Sequence, residues 1–391
     1  MPRTAYVFIE YRRENPMKAV IAKNDLVNLI GKIQSIVPAK PSSPILANIL
    51  IDAIDDQIII SGTDSTVSMR CYMEAKVIEE GSIALPARRF FQLVRELTAP
   101  QVKLSAQTNE IAEITTGTSV FKINGMNRAE FPTLPDFSGS PEALFESASL
   151  KEALSKTAFA AAREDSRYML NGVQLQIQNQ TAIFLGTDGK CLAKAVSPIQ
   201  MEEGAIQTSS VIPLKAIEEM IKILSEGNDR ALLSIGLDKV ALEFGQITLI
   251  TKLLSGQFPD VERVIPANFA STLTIHREEL ISLLRQVSLF TSETSSSVRF
   301  TFEPGQLHLS AVSREIGEGR VSMPVDFSGS NLEIAFNPFY LLNILKHSKD
   351  ETVCFSLNDP HNPGMITDSS QAQFILMPMR LSDAIAPAAA V

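Results

Sequence analysis

The sequence predicts an α+β protein of three similar domains in a row, each with two helices packed on antiparallel sheets. Three observations predict it: a length of 391 residues, an order of elements that recurs three times, and a spacing between recurrences of 124 to 127 residues. Domains hold roughly 100 to 200 residues, so this length accommodates two to four of them. A period this long marks duplicated domains, because solenoid repeats span only about 20 to 50 residues.

Each repeat opens with an amphipathic helix, DLVNLIGKIQSIV (25–37), SLKEALSKTAFAAA (149–162) and ELISLLRQVSLFT (279–291). Leu26, Leu29, Ile30 and Ile33 lie at i, i+3, i+4 and i+7, one helical face, and Leu280, Leu283, Leu284 and Val287 repeat that spacing. A strand, turn and strand follow in ILIDAIDDQIIISGTD (49–64), VQLQIQNQTAIFLGTD (173–188) and VRFTFEPGQLHLSAVS (298–313). Their alternating apolar residues around Asp-Asp, Asn-Gln and Pro-Gly centres predict hairpins. The second helix sits in ALPARRFFQLVREL, VIPLKAIEEMIKIL and AFNPFYLLNILKHS, with Pro86, Pro213 and Pro338 near its start, where proline is tolerated. Further β segments (102–123, 231–253 and 352–379) close each repeat.

The spacings agree: Asp188 follows Asp64 by 124 residues and Pro213 follows Pro86 by 127. AEFPTLP (129–135) recurs as GQFPDVERVIP (256–266) and marks the two exits from domains. The expected limits are therefore 17–140, 141–264 and 265–381, flanked by an extension, 1–16, and a flexible tail, 382–391. Strand edges left unpaired in one such unit invite pairing with another. Three units in a row form an arc with two free ends, and two arcs joined head to tail close a ring.

Composition narrows the function. A net charge of −9 argues against a uniformly basic nucleic-acid binder and leaves room for one whose positive charge is confined to one face. Cys71, Cys191 and Cys354 are widely separated and form no CxxC pair, so they are expected as small buried hydrophobes. No apolar run approaches the roughly 20 residues of a membrane helix. Residues 1–16 lack a secretory h-region, and the chain is expected to be cytoplasmic, with no membrane partner. An enzyme is poorly supported. His276, His308, His347 and His361 have no HxxxH or HExxH spacing, and phosphate-binding glycine loops and GxSxG are absent. Asp64 and Asp188 recur in GTD, where an aspartate at a strand end usually caps a turn. No catalytic residue, metal or cofactor is expected.

From Met17 to Leu381 the phrases MKAVIAKNDL, PSSPILANILIDA, LPARRFFQLVREL, SRYMLNGVQLQ, GTDGKCLA, GQFPDVERVIP and FILMPMRL follow in order. Together they closely resemble the bacterial DNA polymerase III beta subunit, the sliding clamp family. The resemblance implies three clamp domains per chain and a head-to-tail homodimeric ring of six domains that encircles double-stranded DNA. It also implies loading by a clamp loader complex. Tethering of the DNA polymerase III alpha subunit, and of other proteins bearing a clamp-binding motif, is implied as well. Such a processivity factor hydrolyses nothing.

If helices line the hole, their exposed faces should carry cations, and Arg88, Arg89, Lys156 and Lys215 are among those available. By similarity Lys40, Arg163, Glu164, Arg167 and Tyr168 also meet the duplex, although Glu164 and Met169 depart from the polar and aromatic residues expected there. Contacts of this kind hold phosphate without reading sequence. The family's peptide pocket maps to Leu170, Thr187, Gly189, Lys190, Cys191 and Leu192, then to Pro259, Arg263 and Val264. From the last domain it takes Asn337, Tyr340, Pro363 and Ile375, with Met377, Pro378, Met379 and Arg380 from the closing strand. Lys190 and Cys191 stand where many clamps have other polar or basic residues. Dimerisation maps to Phe121 and Ile123 in the first domain and to Leu289 and Phe290 in the third. Two large apolar neighbours cannot share one narrow helical face, so at least one of the last pair should meet a partner. A soluble peptide-binding scaffold that never touches DNA would share the repeat and the pocket.

Overall fold

A computed structural model describes residues 16–380, apart from 108, 135–136, 138–139, 202–207 and 293–295. The extension, save Pro16, and the tail 382–391 lie outside the described residues. The first repeat runs β1 (Met17–Ala22), α1 (Lys23–Ile33), β2 (Asn48–Ile54), β3 (Gln57–Thr63), β4 (Val67–Glu74), β5 (Lys76–Glu79), β6 (Gly81–Pro86), α2 (Ala87–Glu96), β7 (Gln101–Ala106), β8 (Ile111–Thr116) and β9 (Ser119–Asn124). The second runs β10 (Glu142–Glu146), α3 (Ser147–Ala158), β11 (Gly172–Gln178), β12 (Thr181–Thr187), β13 (Cys191–Pro198), β14 (Thr208–Pro213), α4 (Leu214–Ile223), β15 (Arg230–Ile235), β16 (Lys239–Phe244) and β17 (Ile247–Lys252). The third runs β18 (Ser271–His276), α5 (Arg277–Ser288), β19 (Val298–Glu303), β20 (Gln306–Ser313), β21 (Gly317–Pro324), β22 (Leu332–Phe336), α6 (Pro338–His347), β23 (Thr352–Leu357), β24 (Gly364–Thr367) and β25 (Gln373–Leu376).

The helical faces read from the sequence are the buried ones: Leu26, Leu29, Ile30 and Ile33 of α1 are at most 5% exposed. Each such side chain contributes roughly 1.5–3 kcal/mol by leaving water. The first helix of every repeat ends three or four residues before its apolar pattern does, at Ile33, Ala158 and Ser288. Tight i to i+3 turns take over, as in Ile36 N to Ile33 O and Phe290 N to Val287 O, both 3.0 Å. The hairpins form as expected. Asp55 and Asp56 (φ 46° and 56°) and Asn179 and Gln180 (φ 46° and 62°) place both central residues in the left-handed region, the turn whose twist matches paired strands.

The chain divides into two compact units, residues up to 144 with 222–252, and 145–221 with residues from 253 on. In the first, one five-stranded sheet has the order β5-β1-β7-β8-β9 and one eight-stranded sheet the order β10-β15-β16-β17-β4-β3-β2-β6. The eight-stranded sheet joins two repeats, because β17 pairs with β4 from Ile247 opposite Cys71 to Thr251 opposite Val67. In the second unit the order β14-β11-β12-β13-β25-β24-β23-β18 again joins two repeats, through Cys191 opposite Leu376 and Leu192 opposite Ile375. A four-stranded sheet, β21-β20-β19-β22, completes that unit. Here α3 lies directly on β12: a Cβ at Gly186 would meet the Thr157 carbonyl at 2.2 Å.

One expectation is corrected. Lys156 looks like a surface charge of α3, yet it is 2% exposed. Its Nζ donates to Asp368 at 2.9 Å and lies 2.8 Å from Glu152, with the Asp368 side chain itself 2% exposed. Such a lysine holds the second repeat to the β24–β25 turn of the third and is withdrawn from any DNA-facing surface. Removing one member of a buried pair strands the other charge, at about 3–5 kcal/mol, whereas replacing both by apolar groups is often neutral. Lys156→Met is therefore expected to lower unfolding free energy by roughly that amount in a urea titration, and Lys156→Met with Asp368→Leu to recover most of it. Equal loss in both variants would contradict the pairing.

Candidate functional site

The site is built on the turn between β12 and β13, where Gly-Thr-Asp leads into Gly189 and Lys190. Thr187 Oγ1 donates to the Cys191 carbonyl at 2.7 Å and accepts from Gly189 N at 3.0 Å. Asp188 Oδ1 accepts from the amides of Lys190 and Cys191 at 2.8 and 2.9 Å. Gly189 takes φ 87°, which glycine adopts without steric cost. The other Asp188 oxygen accepts from the Tyr340 hydroxyl at the start of α6. Burial first, and then this aspartate, push the Tyr340 phenol above its ordinary range.

Arg167 braces the same turn. Its Nε and Nη2 donate to Asp165 at 3.0 and 2.8 Å, and Nη2 also donates to the Asp188 carbonyl at 3.0 Å. The guanidinium lies over Gly189, where a Cβ would meet Nη1 at 3.0 Å. These bonds hold the Asp165 carboxyl down at about 2.

Beside the turn opens a groove of about 460 Å³. Leu170, Leu192, Val261 and Ile375, each at most 8% exposed, form its floor. Met169, Tyr168, Val264 and Met377 stand around it, the last three 60%, 41% and 38% exposed. The pairing of β13 with β25 brings the third repeat into the wall, and Met377 N donates to the Lys190 carbonyl at 2.9 Å. An adaptable apolar floor with a few polar groups on the rim suits an extended apolar chain.

Ten of the residues mapped to the pocket do line this groove: Leu170, Thr187, Gly189, Lys190, Cys191, Leu192, Pro259, Val264, Ile375 and Met377. Cys191 is 1% exposed and clusters with core residues such as Ala193 and Phe374. Others stand apart from the lining. Asn337 caps α6 by accepting from Phe339 N at 2.9 Å, Tyr340 supports the turn from behind, and Met379 N donates to the Ala335 carbonyl at 2.8 Å. Arg263 pairs with Asp260 at 2.8 Å, and Arg380 is exposed; Pro363 and Pro378 are half-buried outside the groove. The lining adds Met169, Gln257, Asp260 and Val261, and it takes in Arg167 and Tyr168, which were expected at DNA. The recurrent phrase around Pro259 carried the signal for its neighbours Gln257, Asp260 and Val261.

Lys40, Arg88, Arg89 and Lys215 are exposed, the last three in the first turns of α2 and α4. Arg163 is exposed and paired with Glu218 at 2.9 Å. Position two of the helix is Arg88 in α2 and Lys215 in α4, but Phe339, 60% exposed, in α6. On the edge strand β9, Val120 and Phe121 are 56% and 36% exposed, and Ile123 is half-buried. Leu289 is 72% exposed, while Phe290 packs back on the core over Gly319, whose Cβ would meet its ring at 2.4 Å. Of the two neighbours, Leu289 faces outward.

The Arg167 bracket can be tested by titration. The folded Asp165 value is depressed from 3.8 to about 2, so its contribution is present above the unfolded value and is lost as pH falls through about 2. A carboxyl-carbon NMR titration should give that midpoint, and Arg167→Gln should move it up toward 3.8. An unchanged midpoint in the variant would remove Arg167 as the cause.

Family comparisons cover the described chain. Residues 17–135 match the DNA polymerase III beta subunit N-terminal domain, 145–260 its central domain and 262–380 its C-terminal domain. The chain is 47% identical to the beta sliding clamp of Chlamydia muridarum over 94% of its own length and 100% of that protein. It is 28% identical to that of Vibrio cholerae over 93% and 100%. The crystal structure of the DNA polymerase sliding clamp from Bacillus subtilis aligns with a TM-score of 0.89 at 26% identity, covering 94% of this chain and 100% of that one. The corresponding structure from Pseudomonas aeruginosa with ligand gives 0.88 at 26% identity, covering 93% and 100%. With three consecutive domain matches and these relatives along nearly its whole length, the chain belongs to the DNA polymerase III beta subunit family.

Proposed function

We infer that the chain is a DNA sliding clamp, a non-catalytic cytoplasmic processivity factor that encircles duplex DNA and tethers polymerases. The observation that carries this reading is the pair of incomplete sheets. Two eight-stranded sheets are each completed by successive repeats, while a five-stranded sheet ends in the edge strand β9 and a four-stranded sheet in β21. Each edge bears exposed apolar residues, Val120 and Phe121 on one side and Leu289, Val312 and Ile316 around the other. Pairing β9 of one copy with β21 of a second, twice, closes a head-to-tail homodimer whose repeating unit is the domain of 17–140, 141–264 and 265–381. A closed ring satisfies both of these edges.

Inside such a ring Lys40, Arg88, Arg89, Arg163, Arg167, Tyr168 and Lys215 are the candidate contacts to phosphate. Non-specific contacts give a Kd of roughly 10⁻⁴ to 10⁻⁶ M, weak enough to slide, so retention comes from topology. The groove is the docking site for peptides of the DNA polymerase III alpha subunit, of the clamp loader complex that opens the ring, and of other proteins with a clamp-binding motif. A scaffold that never touches DNA shares the groove but gives no reason for two complementary open edges.

After loading, the protein should stay on nicked circular DNA and run off the same DNA once linearised. Equal loss from both would sink the topological reading. Leu289→Asp should raise the dimer dissociation constant by about 30-fold or more, the consequence of losing roughly 2 kcal/mol at a central interface residue. Sedimentation over a concentration series measures it. A variant dimer as tight as the parent would move the interface elsewhere.

A further inference from the structure

We propose that Lys190 makes the groove selective for apolar partner peptides that carry a carboxylate side chain. This rests on the reading of the groove as a peptide site. Three cations stand at or beside the rim, and two are already matched. Arg167 is bracketed by Asp165, and Arg263 by Asp260. Lys190 is exposed, lines the groove and forms no ion pair among the described residues.

The acid two residues before it is already engaged. Asp188 Oδ1 is occupied by two backbone amides, one of them that of Lys190 itself, and Oδ2 by the Tyr340 hydroxyl. The turn thus fixes the Lys190 backbone at the groove mouth, through the Asp188 contact below and Met377 N on its carbonyl, and leaves the ammonium to whatever enters. Leu192, Val261 and Ile375 beneath it supply the apolar floor. The occupant of matching chemistry is a peptide with apolar anchors and one acidic residue placed to meet Lys190. An exposed pair of this kind is worth a factor of about two to five in affinity, and salt weakens it.

The experiment uses fluorescein-labelled nonapeptides of Leu, Met and Phe interspersed with Gly and Ser, carrying Asp, Asn or Lys at a scanned position, with anisotropy as the readout. At the best position the full chain should bind Asp over Asn, and Asn over Lys, by about two- to fivefold per step, and 0.5 M salt should shrink the steps. Lys190→Glu, a change at an exposed side chain, should invert the order. Equal affinities, or an order unchanged in Lys190→Glu, would overturn the proposal while leaving the groove reading intact. Met377→Asp tests that reading by itself, since it should weaken all three probes together. If no probe binds, or Met377→Asp binds all as before, the groove reading fails and the proposal with it. Tighter binding of every probe by a variant lacking residues 382–391, with no preference among them, would assign the groove to the chain's own end instead.

Discussion

Strand pairing across repeats is the constraint on which the rest of this molecule depends. A strand edge exposes a row of backbone donors and acceptors, and an unpaired polar group kept from water costs about as much as a lost hydrogen bond. Pairing β17 with β4, and β13 with β25, removes that exposure wherever two repeats meet along the chain. It does not reach β9 and β21, which each pair on one side only among the described residues. The same pairing makes the groove, since Ile375 and Met377 reach Leu192 and Lys190 only as the continuation of β25 beside β13. The proposed assembly and the proposed docking site would in this sense be two consequences of one kind of main-chain pairing.

The two junctions share a backbone and differ in chemistry. In the first repeat Thr63 Oγ1 donates to Val67 O at 3.1 Å, and Asp64 Oδ1 accepts from Thr66 and Val67 N at 2.8 and 2.7 Å, the turn seen again at 187–191. There the place of Lys190 is taken by Thr66, that of Leu192 by Ser68 and that of Met377 by Lys252, whose amide faces the Thr66 carbonyl at 3.4 Å. Buried Thr63, Ser68 and Thr251 make that junction polar, and Phe131 packs with Ile45 and Leu46 of the first repeat. At the second junction Leu192 stands in place of that serine and Met377 in place of Lys252, beside an isoleucine, Ile375, that the first junction matches with Ile250, and these changes give the groove its apolar floor.

Elements with local patterns were legible in the sequence. The face of α1 follows from the spacing of Leu26 to Ile33, and the hairpin turns at Asp55-Asp56 and Asn179-Gln180 from polar residues that tolerate positive φ. What lies beyond local pattern was not. Lys156, with Glu152 one turn before it, has the signature of a solvated helix pair, and its decisive partner, Asp368, is 212 residues away. Met169 was set aside as a departure at a DNA contact, yet its sulfur packs over Gly256, 3.0 Å from a Cβ there, and lines the groove. Side chains on three-residue 3₁₀ turns such as Tyr168–Leu170 have no periodicity from which to read a facing.

The acidic balance of the chain fits a protein that slides better than a basic one would. A net charge of −9 disfavours duplex DNA except at faces where cations are locally concentrated. Those cations are shared unequally among the repeats. The first turn of α2 offers Arg88 and Arg89 and that of α4 offers Lys215, while α6 presents the exposed ring of Phe339 at the matching place. Arg163 is partly neutralised by Glu218 at 2.9 Å. In the proposed ring, few and partly neutralised contacts would keep each phosphate interaction weak, so that the duplex moves past them. On that proposal the durability of the complex rests on ring closure, and so on β9, β21 and the outward-facing Leu289.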